Sequence, residues 1–106
     1  MKILFDQGTP APLRKHLPGH SVFTAYESGW SQLANGELIS VAEGEAYEVL
    51  ITTDRNLRYQ QDLRGRTIAI LVLLSTSWPR IQRKIPDIQR ALTDLTVGGY
   101  VEIDVP

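Results

Sequence analysis

Three carboxylates stand where chemistry is possible. Asp6 follows the apolar run Ile3-Leu4-Phe5, Asp54 closes "VLITTD", and Glu37 sits in "NGELIS". A carboxylate that ends a core strand has a functional reading, because open parallel sheets bind ligands beyond the carboxyl ends of their strands, where the strand order reverses. Gathering three acids with nothing basic beside Asp6 or Glu37 is costly, since like charges repel and raise one another's pKa. A divalent cation resolves the conflict. Mg2+ or Mn2+ takes oxygen ligands, usually one or two carboxylates completed by water and substrate phosphate. Such an ion activates water and steadies the departing oxygen of a phosphodiester. In this scheme Asp6 and Asp54 hold the metal directly, and Glu37 binds it through water or positions the attacking water. Gln7 and Asn56 add amide oxygens or orient waters, and Arg55 and Arg58 contact phosphate.

Each acid also has a plainer explanation. Asp6-Gln7-Gly8-Thr9 fits an Asx-turn or cap closing a strand. Asp54 in "TTDRN" fits a turn, and Glu37 fits a first-turn acid placed for the helix dipole. What favours chemistry is the convergence of two independent strand ends on one edge.

The elements that must position these residues follow from pattern. Strands are expected at Lys2–Asp6, His20–Ala25 (Val22 inward), Tyr47–Thr53, Arg66–Leu74 and Tyr100–Val105. Arg66–Leu74 is the most apolar, as a central parallel strand covered on both faces should be. Pro10 or Pro12 opens a helix, where the missing N–H is harmless, with Leu13, His16 and Leu17 inward. Asn35 is expected to cap the next helix, whose stripe is Leu38, Ala42 and Ala46. Apolar positions 81, 85, 88, 92 and 95 draw a helical stripe straight past Pro86. Either a kink or a short helix followed by a second one starting at Pro86 accommodates it. Strands alternating with helices give an α/β three-layer sandwich with a mostly parallel sheet.

Composition sets the outer bounds. At 106 residues, 42% of them hydrophobic, the chain makes one domain. A net charge of −1 gives no global basic field for tight non-specific DNA binding. With no cysteine, thiol chemistry and zinc–thiolate sites are excluded. The opening apolar run ends at Asp6, too short for a signal peptide, and Ile68–Leu74 is far short of a membrane span, so a cytoplasmic protein is expected. Ser75, Thr76 and Ser77 have no accompanying histidine for a hydrolase triad. His16 and His20 lack a metal-ligand spacing. Trp30 and Trp78 are either stacking platforms for bases or packing residues. Arg80, Arg83, Lys84 and Arg90 form either an RNA- or partner-facing rim or a solvated helix back.

The segments "ILFDQGTP", "GHSV" and "NGELISVAEGEAYEVLITTDRNL" together resemble the short PIN-like proteins related to VapC toxins. "NLRYQQDLRGRTIAILVL" resembles one bacterial subgroup of them. The match runs in order over roughly residues 1–95. It implies a PIN-like sandwich with an acidic pocket at the carboxyl ends of the strands, which binds Mg2+ or Mn2+ and cuts RNA. Carried over by motif, Asp6 is the acid after the first strand, Glu37 the acid of the helix start, and Asp54 the acid of the "TxD" after the third strand. Two positions depart from the pattern: Gln7 and Asn56 stand where many relatives carry further acids. The alternative is therefore a PIN-like module that binds RNA or a partner protein without cutting. The resemblance also implies a toxin half of a toxin–antitoxin pair, hence a small antitoxin partner. A homodimer would use the apolar positions of the 79–95 helix or the final strand "YVEIDVP". A phospho-receiver shares the β-α alternation but wants paired acids after the first strand and a lysine after the fifth, which are absent.

Overall fold

The computed structural model describes residues 1–106. Five short strands make one all-parallel sheet: β1 (Lys2–Phe5), β2 (Ser21–Thr24), β3 (Val49–Thr52), β4 (Ala69–Leu73) and β5 (Tyr100–Ile103). Their order is β2-β1-β3-β4-β5. The alternation of side chains along each strand sorts the core into two layers. Ile3, Phe5, Val49, Ile51, Ala69, Leu71 and Leu73 face one side. There they meet Leu13 of a 3-10 helix (Ala11–His16), Ile81 of α3 (Trp78–Gln82), and Ile88 and Leu92 of α4 (Ile85–Asp94). Leu4, Leu50, Ile70 and Val72 face the other side. They pack on Leu38, Ile39 and Ala42 of α1 (Asn35–Gly44) and on Leu57 of α2 (Leu57–Gln60). Burying each such side chain contributes about 1.5–3 kcal/mol. Helices thus cover both faces of a parallel sheet, and no helix is long and apolar enough to cross a membrane.

Several local expectations shift. The segment after Pro10 winds as a 3-10 helix, with a proline in its first turn. The stripe of positions 81–95 is carried by two helices, and Pro86 lies in the first turn of the second, where its ring and missing N–H are tolerated. Ile81, Ile88 and Leu92 are buried, and Ile85 and Leu95 pack against the same core. That stripe is turned inward, and β5 is an edge strand of the sheet. Ala46 is not on the α1 stripe. It is exposed, with φ at +65°, and terminates the turn after Gly44. Residues 57–60, expected as loop, form α2.

Gly98 makes the tight entry into β5. Its φ is +70°, and a Cβ there would lie 2.6 Å from the Arg66 carbonyl oxygen. Gly98→Ala is expected to cost at least about 1–3 kcal/mol, the usual penalty for a side chain held in a sparsely populated backbone region. Urea unfolding would read this as a lowered midpoint.

Candidate active site at the switch between β1 and β3

The chain leaves β1 toward β2 on one side and leaves β3 toward β4 on the other. The strand order therefore reverses between β1 and β3, where an open sheet leaves a crevice beyond its carboxyl ends. Register fixes what enters it. Phe5 pairs with Ile51, so Asp6 and Thr52 come next, side by side. Leu4 and Leu50 point into the α1 layer, so two residues on Asp6 and Thr52 do too.

Asp6 is tightly held. The Thr9 hydroxyl lies 2.9 Å from its Oδ1, and the fully buried Thr52 hydroxyl donates to its Oδ2. Thr9 Oγ1 is also 2.9 Å from the Ile51 carbonyl, and with one proton it donates to only one of these acceptors at a time. Burial pushes the Asp6 carboxyl above its ordinary pKa. The two hydroxyls and the Gly8 and Thr9 amides oppose that shift without cancelling it. Thr52 also ties the two aspartates together, because its Oγ1 accepts the Asp54 N–H at 3.1 Å.

Asp54 closes an Asx-turn, its Oδ1 accepting the Asn56 N–H at 3.0 Å. Its Oδ2 accepts from Asn35 Nδ2 at 2.7 Å. Asn35 is not the cap that its position suggested. The cap is Ala34, and Asn35 is the first helical residue, which frees its amide to reach β3's end. Asn35, Asp6 and Gln7 line one cleft of about 120 Å³, walled by Trp30 and Leu38. A larger hollow of about 290 Å³ lies at the amino end of the strands, between Met1, Tyr47, Val49 and Leu95, away from both aspartates.

Glu37 is exposed, and its Oε1 lies 3.4 Å from the Ala34 N–H. This is the helix half of a capping box; alanine has no side-chain acceptor to complete it. Gln7 is exposed at the cleft, and the Asn56 side chain is exposed beside Asp54. Arg55 Nη2 donates to the Leu74 carbonyl at 3.1 Å, at the end of β4. Arg58 points toward β5. It lies over the rings of Tyr59 and Tyr100, donates to Tyr59 Oη at 2.7 Å, and sits 3.8 Å from Glu102. Trp30 packs edge-on to Tyr47 at 6.0 Å, and Trp78 sits 5.7 Å from His16. Gln61 lies against the start of α1, where a Cβ on Gly36 would be 2.7 Å from its Oε1.

The arrangement brings Asp6, Asp54 and Asn35 together, with Thr9 and Thr52 beneath them. No three His, Cys, Asp or Glu side chains gather closely enough to hold a metal. The cleft itself offers the oxygens of Asp6, Gln7 and Asn35, a donor chemistry that suits a hard cation, and Asp54 adjoins it through Asn35 and Thr52. Hydrogen-bonded carboxylates are the normal state of metal ligands, since such bonds fix their orientation. Sequence reasoning missed Asn35, Thr9 and Thr52. The signal for Thr52 was available in the two-residue strand period, which puts it on the face of Leu50; nothing local pointed to the reach of Asn35. Comparison with known family models, curated proteins and solved structures gives no significant match.

Proposed function

We propose that this chain is a PIN-like, Mg2+- or Mn2+-dependent endoribonuclease, the toxin half of a toxin–antitoxin pair with a small antitoxin partner. The observation that carries this reading is the pairing of Asp6 and Asp54 across the β1–β3 switch, coupled through Thr52. The motif resemblance of the surrounding segments supplies the family. Asp6 and Asp54 would hold the ion, which supplies an activated water and charge stabilisation at the departing oxygen of a phosphodiester. Thr9 and Thr52 fix the Asp6 carboxylate, so its orientation is set before substrate arrives. Gln7, at the cleft, orients water. Arg55, at the end of β4, is the guanidinium best placed to meet RNA phosphate. Glu37 acts at the rim, from the first turn of α1.

A second reading is a PIN-like module that binds RNA or a partner without cutting. It is favoured by one observation: every carboxylate oxygen of Asp6 and Asp54 already has a donor within the protein. Two measurements on one sample separate the readings. Calorimetric titration with MnCl2 and Mn2+-dependent cleavage of a mixed RNA pool should both be positive for the nuclease. No binding at millimolar Mn2+ favours the module.

A further inference from the structure

We propose that Arg58, Arg64 and Arg66 form a site for the phosphate backbone of single-stranded RNA, outside the β1–β3 cleft and continuous with it. This deepens the RNA reading above and does not depend on a metal. The three guanidiniums line one open hollow of about 590 Å³, between the turn after α2 and the entry to β5 at Gly98. Asp62 is the one acid in its lining, so three cations face a single carboxylate there, on a chain whose net charge is −1. Glu43 and Glu102, the partners of Arg66 and Arg58, lie outside the lining. Donors remain free in the hollow. Arg66 donates through Nη1 alone, to Glu43 at 2.6 Å and Ser40 at 3.2 Å, so its Nε and Nη2 have no partner within the protein and are not sealed from solvent. Arg64 gives Nε and Nη2 to Asp62 and keeps Nη1 free, and so exposed a pair is readily exchanged for a phosphate. Arg58 Nη1 is also unengaged, while Tyr59 Oη and the rings of Tyr59 and Tyr100 hold the guanidinium in place. Planar forks held this way match phosphate oxygens.

Two features favour a strand over a small phosphate compound. The lining holds two apolar residues, Leu63 and Val97, and no aromatic ring, so it offers a backbone its contacts but gives a base no enclosed seat. The hollow also begins where the cleft ends. Gln61 lines it and lies against Gly36, and the preceding residue, Asn35, lines the cleft with Asp6. Arg66 reaches the same helix at Ser40, about 6 Å further along its axis. A strand with one phosphate in the cleft therefore passes Gln61 and continues over the three guanidiniums. The segment "NLRYQQDLRGR" carries this face.

The test is fluorescence anisotropy of a labelled oligouridylate with the wild-type chain, Arg64→Ala, Arg66→Ala and Arg90→Ala, in EDTA so that no RNA is cut, repeated across salt concentrations. Arg90 is the control for charge alone. It lies on α4, on the opposite face of the sheet, 3.6 Å from Asp87. Arg64→Ala and Arg66→Ala should each weaken binding about tenfold. Each should also reduce the slope of log affinity against log salt by about 0.7, the worth of one phosphate contact on a single strand. Arg90→Ala should match wild type in both. Arg64→Ala guards against misfolding of Arg66→Ala, because its exposed pair holds nothing together. No binding by the wild-type chain, binding by Arg64→Ala equal to wild type, or equal weakening by Arg90→Ala overturns the site. Pyrophosphate that competes as well as the unlabelled oligonucleotide overturns the strand as its ligand. Absence of Mn2+-dependent cleavage beside the expected binding results would overturn the nuclease and uphold the site.

Discussion

Asp54→Asn is expected to abolish Mn2+-dependent RNA cleavage, and with it any growth inhibition on expression, while leaving the fold intact. The substitution keeps the size of the side chain and an Oδ1 that can still accept the Asn56 N–H. It removes one of only two charges at the site. Losing a preorganised group that stabilises developing charge costs about 100- to 1,000-fold in rate. Asp6→Asn should silence cleavage to the same extent but act differently on stability. Burial raises the Asp6 pKa, so as pH falls the folded chain takes up this proton before the unfolded chain does. Stability contributed by Asp6 therefore rises as pH drops from the raised value toward the ordinary carboxylate value. Asp6→Asn should flatten that rise and hold or gain stability at neutral pH. Glu27, lowered to about 2 mainly by its hydrogen bond from Arg14, works in the opposite sense: its contribution is present above its ordinary 4.5 and is lost as pH falls toward 2. Cleavage assays and urea midpoints across pH read both effects. Unchanged cleavage in either variant would contradict the assignment.

Glu43→Ala is expected to produce the largest loss of stability among polar substitutions, about 1–3 kcal/mol in urea unfolding. Glu43 lies in the last turn of α1, 18% exposed at its side chain. Its Oε1 accepts from Arg66 Nη1 at 2.6 Å. Its Oε2 accepts from the Thr67 N–H at 2.7 Å, the Thr67 hydroxyl at 3.2 Å and the Ile68 N–H at 3.2 Å. These bonds outweigh its burial, which acts the other way, and hold its pKa below the ordinary range. One carboxylate thus anchors the chain as it descends from α2 to the amino end of β4, and its removal strands two backbone donors. Glu43→Gln keeps an acceptor and should lose less. Arg64→Ala is the contrast: the Arg64–Asp62 pair is 92% and 63% exposed, and its loss should scarcely register.

The legible part of this fold is the part written in local periodicity. Leu4, Leu50 and Ile70 alternate with Ile3, Val49 and Leu71, and that period of two yields buried strands without any tertiary information. The stripe through Ile81, Ile88 and Leu92 likewise announces a helix, and Pro86 announces its break. Ala46 shows where periodicity misleads, because a spacing of four runs past the end of α1 at Gly44 onto a residue whose backbone is left-handed. α2 escaped notice because four residues are too few to display a helical period. At the site, Asp6 and Asp54 were legible from the abrupt end of apolar runs. Asn35 was not, because its partner is 19 residues away and the contact depends on α1 starting at the carboxyl edge of the sheet. The reach of Arg58 toward Glu102 is equally non-local, since it requires β5 to lie beside β4.

On the proposed function, Asp6 and Asp54 share a divalent cation. A crystal structure of the wild-type chain soaked in MnCl2 tests it most directly, with anomalous density identifying the metal. A manganese peak is expected between the two carboxylates, within ligand distance of an oxygen of each. Crystals at millimolar Mn2+ with no peak there, and with Asp6 still held by Thr9 and Thr52 and Asp54 by Asn35 and Asn56, would contradict it.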